Sequence, residues 1–340
     1  MKVAGMPLHA LVTGGGGFLG GGVVKKLLER GNPVRSFSRS AYPELEKLGV
    51  EQVRGDIGDP VSVQKACAGM DIVFHAAAKP GVWGPYRDYY RTNTLGTENV
   101  IQACLDNGIQ AMVYTSSPSV VFNGTDMEGV DESAPYPEHY HAFYPQTKAL
   151  AEKRVINAAG EGLKTVSLRP HLIWGPGDLH FVPRILARAK KLRIVGDGTN
   201  KVDTIYIDNA ADAHLQAADR LLESDDISGR VYFISQDDPV NLWEMINAIL
   251  QAGGKPPVTR SISQKTAHRL GALLEFLYRI LRLPGEPKMT KFLAAELGTS
   301  HWFNISAAKR DLGYKPRIST EDGLQKLGIW LEKEGSRVIG

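Results

Sequence analysis

Short apolar runs alternate with helix-length amphipathic stretches through the first half of the chain. The apolar runs predict strands at 9–14, 33–37, 51–56, 71–78, 111–117 and 164–170. Between them lie periodic stretches of helical length, such as FLGGGVVKKLLERG and PQTKALAEKRVINAAG. Nearly continuous apolar strands are typical of parallel sheets that are buried on both faces. The pattern therefore predicts an α/β fold, a doubly wound parallel sheet with helices on both faces.

The alternation breaks down after about residue 175, which predicts a second lobe. The segments 176–202 and 237–340 are mostly helical in pattern, and we assign them to a smaller substrate-binding lobe. The stretch TIYIDNAADAHLQAADRLL again reads as a strand and a helix, so a return segment near 203–236 belongs with the first lobe. The first domain is therefore predicted as 1–175 together with this return.

Composition and charge narrow the class of partner. The 340 residues carry a formal net charge of +3 with acids and bases intermixed, so nothing resembles a nucleic-acid-binding stripe. Cys67 and Cys104 match no metal or redox spacing and the nine histidines are scattered, so we expect no metal. The N-terminus enters a strand without the apolar stretch of a signal peptide. With cysteines expected to be reduced, this favours a cytoplasmic location.

Residues 270–283, LGALLEFLYRILRL, are the best candidate for contact with a membrane. The segment is too short to span a bilayer and contains Glu275, Arg279 and Arg282. We prefer to interpret it as a buried amphipathic helix, and a helix lying on a membrane surface is the alternative.

A glycine-rich loop follows the first strand and opens the first helix. In LVTGGGGFLGGG, Gly14, Gly17 and Gly20 fit the wider spacing of the dinucleotide fingerprint, and the standard GxGxxG spacing fits as well. Residues without a Cβ permit a tight turn and a close approach of pyrophosphate to the helix N-terminus. Between the first strand and first helix, the motif predicts a Rossmann dinucleotide site. We assign Phe18 and Leu19 to the same contact.

The end of the second strand bears on the choice between NAD and NADP. An acid there would hydrogen-bond a ribose 2′-hydroxyl and repel a 2′-phosphate. This strand instead ends in VRSFSRS, where Ser38 and Arg39 are placed to hold a phosphate. NADP is therefore favoured, and NAD stays open because a surface loop also accommodates an arginine. Asp56 and Ile57, after the third strand, are expected near the adenine ring.

The stretch YPQTK places a tyrosine and a lysine four residues apart at the start of a helix. Pro145 suits the first helical position, so Tyr144 lies at the mouth of the helix. Lys148 lies one turn further on the same side. An ammonium beside a phenol favours the phenolate, so we expect a lowered pKa of Tyr144 and a role in proton transfer.

The strand that contains YTSS ends at the carboxyl edge of the predicted sheet, where ligands bind in open α/β folds. A hydroxyl at Ser116 or Ser117 can hold a carbonyl oxygen against the tyrosine. A Tyr-x-x-x-Lys that follows a glycine loop and a Ser-Ser strand end in this order indicates a functional pair instead of an ordinary surface helix start.

Together, TGGGGFLG, GDIGD, HAAA, YTSS, YPQTK and LRPHLIWGPGD resemble the extended short-chain dehydrogenases/reductases, and within them the 3β-hydroxysteroid-dehydrogenase-like branch. The resemblance covers about residues 8 to 330. It implies a Rossmann enzyme that reduces a ketone to a secondary alcohol with NADPH. AAKPGVWGPY and ELGTSHWF are similar to a bacterial group acting on 2-alkyl-3-oxoalkanoates, which implies an apolar keto-acid substrate; the wider branch implies a steroid-like one.

By position, the resemblance implies Tyr144 as the catalytic acid/base and Lys148 as the residue that binds the nicotinamide ribose. Ser117 would polarise the substrate carbonyl, with Ser116 as the alternative. Asn93 matches a family asparagine that supports the hydrogen-bond network of the site. Capping the following helix is an equally good interpretation of Asn93.

The same resemblance implies that Ala76, Ala77 and Lys79 border the cofactor and that Pro170 lies near the nicotinamide. Where many relatives have tyrosine-glycine after SSxxV, this chain has Val121 and Phe122. That departure suits an apolar substrate better than a nucleotide sugar.

Three alternatives stay open on sequence grounds. A 3β-hydroxysteroid dehydrogenase would oxidise its substrate with NAD, and a nucleotide-sugar epimerase or dehydratase would show no net consumption of cofactor. A non-catalytic dinucleotide sensor typically lacks the tyrosine or the lysine, and both are present here. Relatives are often dimers, so a homodimer is expected, and peripheral membrane or multienzyme association is left open.

Overall fold

A computed structural model describes residues 7–338. Its strands, in chain order, are β1 Ala10–Thr13, β2 Val34–Ser38, β3 Glu51–Arg54, β4 Ile72–His75, β5 Ala111–Thr115, β6 Met127–Val130, β7 Lys164–Pro170, β8 Ile173–Trp174, β9 Ile194–Val195, β10 Lys201–Val202, β11 Ile205–Tyr206, β12 Arg230–Ile234, β13 Val240–Asn241, β14 Ser261–Ile262 and β15 His301–Phe303.

The helices lie between these strands and after the last of them. They are α1 Phe18–Glu29, α2 Pro43–Lys47, α3 Pro60–Cys67, α4 Tyr86–Tyr89, α5 Gly96–Asp106, α6 Phe143–Ala158, α7 Phe181–Arg188, α8 Ile207–Glu223, α9 Leu242–Ala252, α10 Gln264–Ile280, α11 Lys291–Gly298, α12 Ser306–Leu312 and α13 Thr320–Val338. A π-helical segment, Tyr90–Leu95, joins α4 to α5.

Seven strands in the described part of the chain form one parallel sheet, in the order β3-β2-β1-β4-β5-β7-β12. Chain order reverses between β1 and β4, so the carboxyl ends of these two strands open a crevice where open α/β sheets bind ligands. The predicted doubly wound parallel sheet is confirmed.

Helices cover both faces of this sheet because successive strand residues point to opposite sides. In β1, Val12 packs with Val23 of α1 and Ala211 of α8. Its neighbour Leu11 packs with Val100 of α5 and with residues of α3 and α6 on the other face. Leu11 and Val12 are both fully buried, which explains why apolar residues run continuously through the strand.

The second lobe has its own core and more strands than the sequence predicted. Trp174, Ile185, Trp243, Ile249 and Leu327 belong to one buried cluster. The predicted helical character is confirmed, but β10, β13 and β15 also form a small mixed sheet, together with β6 from the first 175 residues. Strands of two to four residues are too short to show a period in the sequence.

The return to the main sheet is made by α8 and β12. The boundaries 1–175, 203–236, 176–202 and 237–340 stay a prediction. Residues 1–6 and 339–340 of those ranges lie outside the described residues.

The prediction of a buried helix at 270–283 is wrong. Leu273, Phe276 and Ile280 of α10 are 54%, 59% and 61% exposed. The helix packs through small residues instead, since a Cβ on Gly271 would lie 2.6 Å from the backbone of Thr290. Within residues 7–338, no helix is both long and apolar enough to cross a bilayer.

A buried ion pair anchors α6 to the sheet. Arg169 of β7 donates to both carboxylate oxygens of Glu152, at 3.0 Å from Nε and 2.6 Å from Nη2. The two side chains are 2% and 0% exposed. The hydroxyl of Tyr136 donates a further hydrogen bond of 2.7 Å to Glu152. These bonds fix α6, the helix that contains YPQTK, against the strand beside it.

Replacing Glu152 by glutamine leaves Arg169 buried without its counter-ion. We expect Glu152→Gln to lower the free energy of unfolding by about 3–5 kcal/mol, the usual cost of breaking a buried pair from one side. Urea denaturation measures the change. Glu44→Gln is the control, because Glu44 and its partner Lys47 are 81% and 75% exposed and such pairs contribute at most about 1 kcal/mol. Equal losses in the two variants would contradict the anchoring role.

Candidate functional site

The glycine loop lies in the crevice between β1 and α1. Gly14 has a φ of 71°, a conformation that favours glycine, and Gly17 precedes the first residue of α1. A Cβ on Gly20 would run into the carbonyl oxygen of Gly14, and one on Gly14 would lie 3.0 Å from Ala77. Backbone therefore lines this cradle, as the approach of a pyrophosphate to a helix N-terminus requires. Phe18 and Leu19, the first residues of α1, are partly buried against the core.

The end of β2 presents two groups without partners in residues 7–338. The Ser38 hydroxyl oxygen is buried and makes no hydrogen bond there. Arg39 is exposed, and no acidic side chain in the described chain pairs with it. A buried hydroxyl and an unpaired guanidinium fit a phosphate group at this strand end.

Asp56 and Ile57 follow β3, and both have partners within the protein. Asp56 accepts a hydrogen bond of 2.8 Å from the Gly58 N–H and another of 2.8 Å from Arg91. Ile57 is 7% exposed, and a Cβ on Gly96 would lie 2.7 Å from it. The carboxylate of Asp56 is therefore held in place by bonds of its own.

Asn93 joins the loop after β4 to α6. Its Oδ1 accepts from the Lys79 N–H at 2.7 Å, and its Nδ2 donates to the Lys79 carbonyl at 3.2 Å and to the Thr147 hydroxyl at 3.1 Å. Asn93 lies inside the π-helical segment, with α4 ahead of it, so the alternative role as a helix cap is wrong. The structure thus brings Asn93 and Lys79 together beside the tyrosine helix.

The end of β4 is held by a buried histidine. The His75 ring bonds the Thr13 hydroxyl at 2.7 Å and the Thr97 hydroxyl at 2.9 Å. Burial lowers the pKa of His75 to about 3, so the ring is neutral. The Ala77 N–H donates to the same Thr13 oxygen at 3.2 Å. Ala76 and Ala77 therefore follow directly from β4 into the crevice beside the glycine loop.

Tyr144 and Lys148 lie one turn apart on α6. The helix begins at Phe143, so Tyr144 belongs to its first turn instead of preceding it. Lys148 is 2% exposed and donates a hydrogen bond of 2.5 Å to the carbonyl oxygen of Thr115, at the end of β5. Its ammonium also lies 4.1 Å from the centre of the Tyr114 ring. Burial lowers the pKa of Lys148 to about 7, and the charge of Glu152 opposes this.

The prediction that Lys148 lowers the pKa of Tyr144 is wrong for this structure. Burial raises the pKa of Tyr144, and a hydrogen bond with Ser117 opposes the shift. Burial is the main cause of the shift, and the Lys148 ammonium bonds the Thr115 carbonyl oxygen at the end of β5. The Ser117 hydroxyl lies 2.9 Å from the Ser119 hydroxyl and forms a hydrogen bond with the Tyr144 phenol. The Ser116 hydroxyl, by contrast, is buried and has no hydrogen-bond partner within residues 7–338. The structure therefore favours Ser117 over Ser116 as the residue beside Tyr144.

Pro170 ends β7 and pairs in register with Ile234 of β12. The next residue, His171, bonds a group in the second lobe, where its Nε2 lies 2.6 Å from Nδ1 of His301. Because Nε2 of His301 lies 2.9 Å from the Glu296 carbonyl oxygen, it carries the hydrogen. In the sequence, His301 and Glu296 belong to ELGTSHWF, which stood out only by its resemblance to relatives.

Glu296 is a site residue that the sequence did not predict. After burial, its charge is a further cause that raises the pKa of Tyr144. Burial raises the pKa of Glu296 itself, and His301 opposes this. Phe122 packs edge-on against Phe292, with ring centres 6.1 Å apart, and against His301 at 6.0 Å. These residues come from distant parts of the chain, and no local motif marks the set.

A family model described as 3-beta hydroxysteroid dehydrogenase/isomerase matches residues 11–261, most of the chain. The protein belongs to this family. It is 51% identical over 324 residues to a 2-alkyl-3-oxoalkanoate reductase of Stenotrophomonas maltophilia, covering 94% of this chain and 98% of that protein. A protein of the same name from Shewanella oneidensis is 49% identical over 329 residues, covering 94% and 85%. MoeE5 in complex with UDP-glucose and NAD shares the fold, with a TM-score of 0.74, 24% identity and coverage of 96% and 99%.

Membership of the 3β-hydroxysteroid dehydrogenase/isomerase family makes the protein an oxidoreductase that uses a nicotinamide cofactor. The glycine cradle described above fits the pyrophosphate of such a cofactor. In residues 7–338 no cluster of three or more histidine, cysteine or acidic side chains is arranged to hold a metal ion.

The close contact at Gly20 gives a direct test of the cradle. We expect Gly20→Ala to weaken cofactor binding at least tenfold and to destabilise the protein by about 1–3 kcal/mol, because the added Cβ displaces the Gly14 carbonyl. Gly21→Ala is the matched control, since its Cβ would lie 3.5 Å from the nearest atom, the Gly15 oxygen. Calorimetric titration with NADPH and thermal melts measure both effects. Similar affinities in the two variants would contradict the assignment.

Proposed function

We propose that this protein reduces a 2-alkyl-3-oxoalkanoate to the 2-alkyl-3-hydroxyalkanoate with NADPH. The observation that carries the proposal is 51% identity, over 94% of this chain, to a reductase named for that substrate. Val121 and Phe122, where many relatives carry tyrosine-glycine, follow the Ser117 strand end and support an apolar substrate over a nucleotide sugar.

In the proposed reaction Tyr144 donates its phenolic proton to the substrate carbonyl oxygen as negative charge builds on it. Because the pKa of Tyr144 is raised, the phenol carries its proton at neutral pH, and the hydrogen bond with Ser117 favours release of that proton. Ser117 lies beside the phenol, where its hydroxyl can donate to the same oxygen and hold it in place. NADPH, when bound, supplies the hydride to the carbonyl carbon.

Lys148 is assigned to the nicotinamide ribose, which its ammonium would hydrogen-bond from the end of β5. Ala76, Ala77, Lys79 and Pro170 are assigned to the border of the cofactor, because they leave the carboxyl ends of β4 and β7. Asn93 is assigned to positioning, since it ties the Lys79 backbone to the helix of Tyr144. Asp56 and Ile57 are assigned to the adenine end.

NADP, as opposed to NAD, is part of the proposal. The unpaired guanidinium of Arg39 and the unpartnered Ser38 hydroxyl support it, as does the lack of an acid in the SFSRS stretch at the end of β2. Cys67 and Cys104 are free and buried, which supports a reducing, cytoplasmic location. A homodimer and association with other enzymes stay predictions from family resemblance.

A 3β-hydroxysteroid is the second candidate substrate, because the matching family model is described by that activity. In that case the protein would oxidise the hydroxyl with NAD. The proposed reductase consumes reduced cofactor and a hydroxysteroid dehydrogenase produces it, so the sign of the change in reduced cofactor separates the two.

Loss of NADPH absorbance in the presence of a 2-alkyl-3-oxoalkanoate tests the proposed activity. We expect turnover by the unmodified protein and a fall of about 10²- to 10⁴-fold in kcat for Tyr144→Phe, the usual contribution of general acid catalysis. Tyr86→Phe is the control, because it removes a hydroxyl from a ring that packs edge-on against the neighbouring Phe143. Consumption with a keto steroid alone would favour the second candidate. No consumption with either ketone would contradict the reductase proposal.

The cofactor preference depends on one side chain. We expect Arg39→Ala to raise KM for NADPH about tenfold or more and to leave KM for NADH within about twofold, because only NADPH carries the 2′-phosphate. Lys47→Ala controls for the loss of one nearby positive charge, as Lys47 pairs with Glu44 on the surface. Equal changes for both cofactors would show that Arg39 does not read the phosphate.

A further inference from the structure

The helix α10 turns its apolar face to solvent. Six large apolar side chains in α10 and the turn after it are between 42% and 61% exposed: Leu270, Leu273, Phe276, Ile280, Leu281 and Leu283. In the helix they recur at intervals of three or four residues, so they share one face. The inward face is made of the small residues Ala267 and Gly271. Contiguous exposed apolar surface of this kind marks an interaction site.

Basic residues border this apolar face, and the acid of the helix is turned away from it. Lys265, Arg269 and Arg279 are exposed and follow one side of the face in helical spacing. The single acid of α10, Glu275, points inward, where its carboxylate accepts from the Lys291 N–H at 2.7 Å. The solvent side of α10 therefore combines apolar side chains with positive charge.

We propose that α10 docks on the surface of an anionic lipid bilayer. The apolar side chains would enter the boundary between headgroups and acyl chains, while the bases meet lipid phosphates. A second copy of the chain suits the face less well, because a two-fold contact would bring the bases of the two helices together while the single acid of each points inward.

The docking face adjoins the loop that follows β4. Tyr278 packs edge-on against Trp83, with ring centres 6.3 Å apart, and the Arg279 guanidinium lies 5.9 Å from the centre of the same ring. The Trp83 carbonyl in turn accepts from the Tyr89 hydroxyl at 2.9 Å. A lipid surface on α10 would therefore lie beside the loop that holds Lys79. Docking there would let alkyl substrates enter the site from the bilayer. That consequence rests on the proposed function, whereas the docking itself does not.

Co-sedimentation with vesicles tests the docking. We expect the full chain to bind phosphatidylcholine vesicles that contain phosphatidylglycerol, and to bind pure phosphatidylcholine at least tenfold more weakly. Ile280→Glu, and more so Phe276→Glu with Ile280→Glu, should lower binding to the anionic vesicles at least tenfold. Ile329→Glu is the matched control, because Ile329 is also an exposed helical isoleucine, 48% exposed in α13, and its substitution should change nothing.

Three results would overturn the docking proposal. The first is that the Ile280→Glu and Ile329→Glu variants bind anionic vesicles equally well, and the second is that the unmodified chain does not bind these vesicles. The third is that analytical ultracentrifugation shows an oligomer that Ile280→Glu dissociates, while no binding to vesicles is seen. Turnover of a short-chain keto acid by the same variants is a separate readout. If neither the unmodified chain nor any variant turns over the keto acid, the proposed function is contradicted and the docking result is unaffected.

Discussion

The ion pair between Glu152 and Arg169 is the interaction on which the candidate site depends. Tyr144, Lys148 and Glu152 lie one turn apart on the same face of α6, so a phenol, an ammonium and a carboxylate enter the core together. Burial lowers the pKa of the Lys148 ammonium, and the charge of Glu152 opposes that shift. Arg169 then keeps Glu152 paired. Charge compensation along one helix face thus permits a polar site inside an apolar sheet.

Much of the fold could be predicted from local pattern, because its causes are local. Strands buried on both faces must be apolar throughout, so the alternation with helices is visible in the sequence. The glycines of the cradle are equally visible, since the contact between Gly14 and Gly20 permits no Cβ. The pair Tyr144 and Lys148 could be found because helical spacing alone puts the two residues on one side.

What the sequence did not predict depends on contacts between distant segments. The pKa of Tyr144 follows from its burial and from Ser117 and Glu296, which lie 27 residues before it and 152 after it. A helix cap was an alternative role for Asn93 because nothing local reveals the upstream helical turns that contain it. For α10 the apolar period was correct, but period alone does not say whether a face meets protein or solvent. That was decided by Gly271, which brings the opposite face close to Thr290.

The raised pKa of Tyr144 also bears on the protonation state in which the site meets a ketone. A reductase needs a protonated phenol to give a proton to the carbonyl oxygen, whereas oxidation of an alcohol needs a phenolate to accept one. Burial and the nearby Glu296 both disfavour the phenolate. In a site arranged in this way the protonated form is the resting state at neutral pH, and reduction can begin without a prior ionisation. The buried phenol therefore holds the proton that ketone reduction requires, and Ser117, whose hydrogen bond opposes the shift, favours release of that proton.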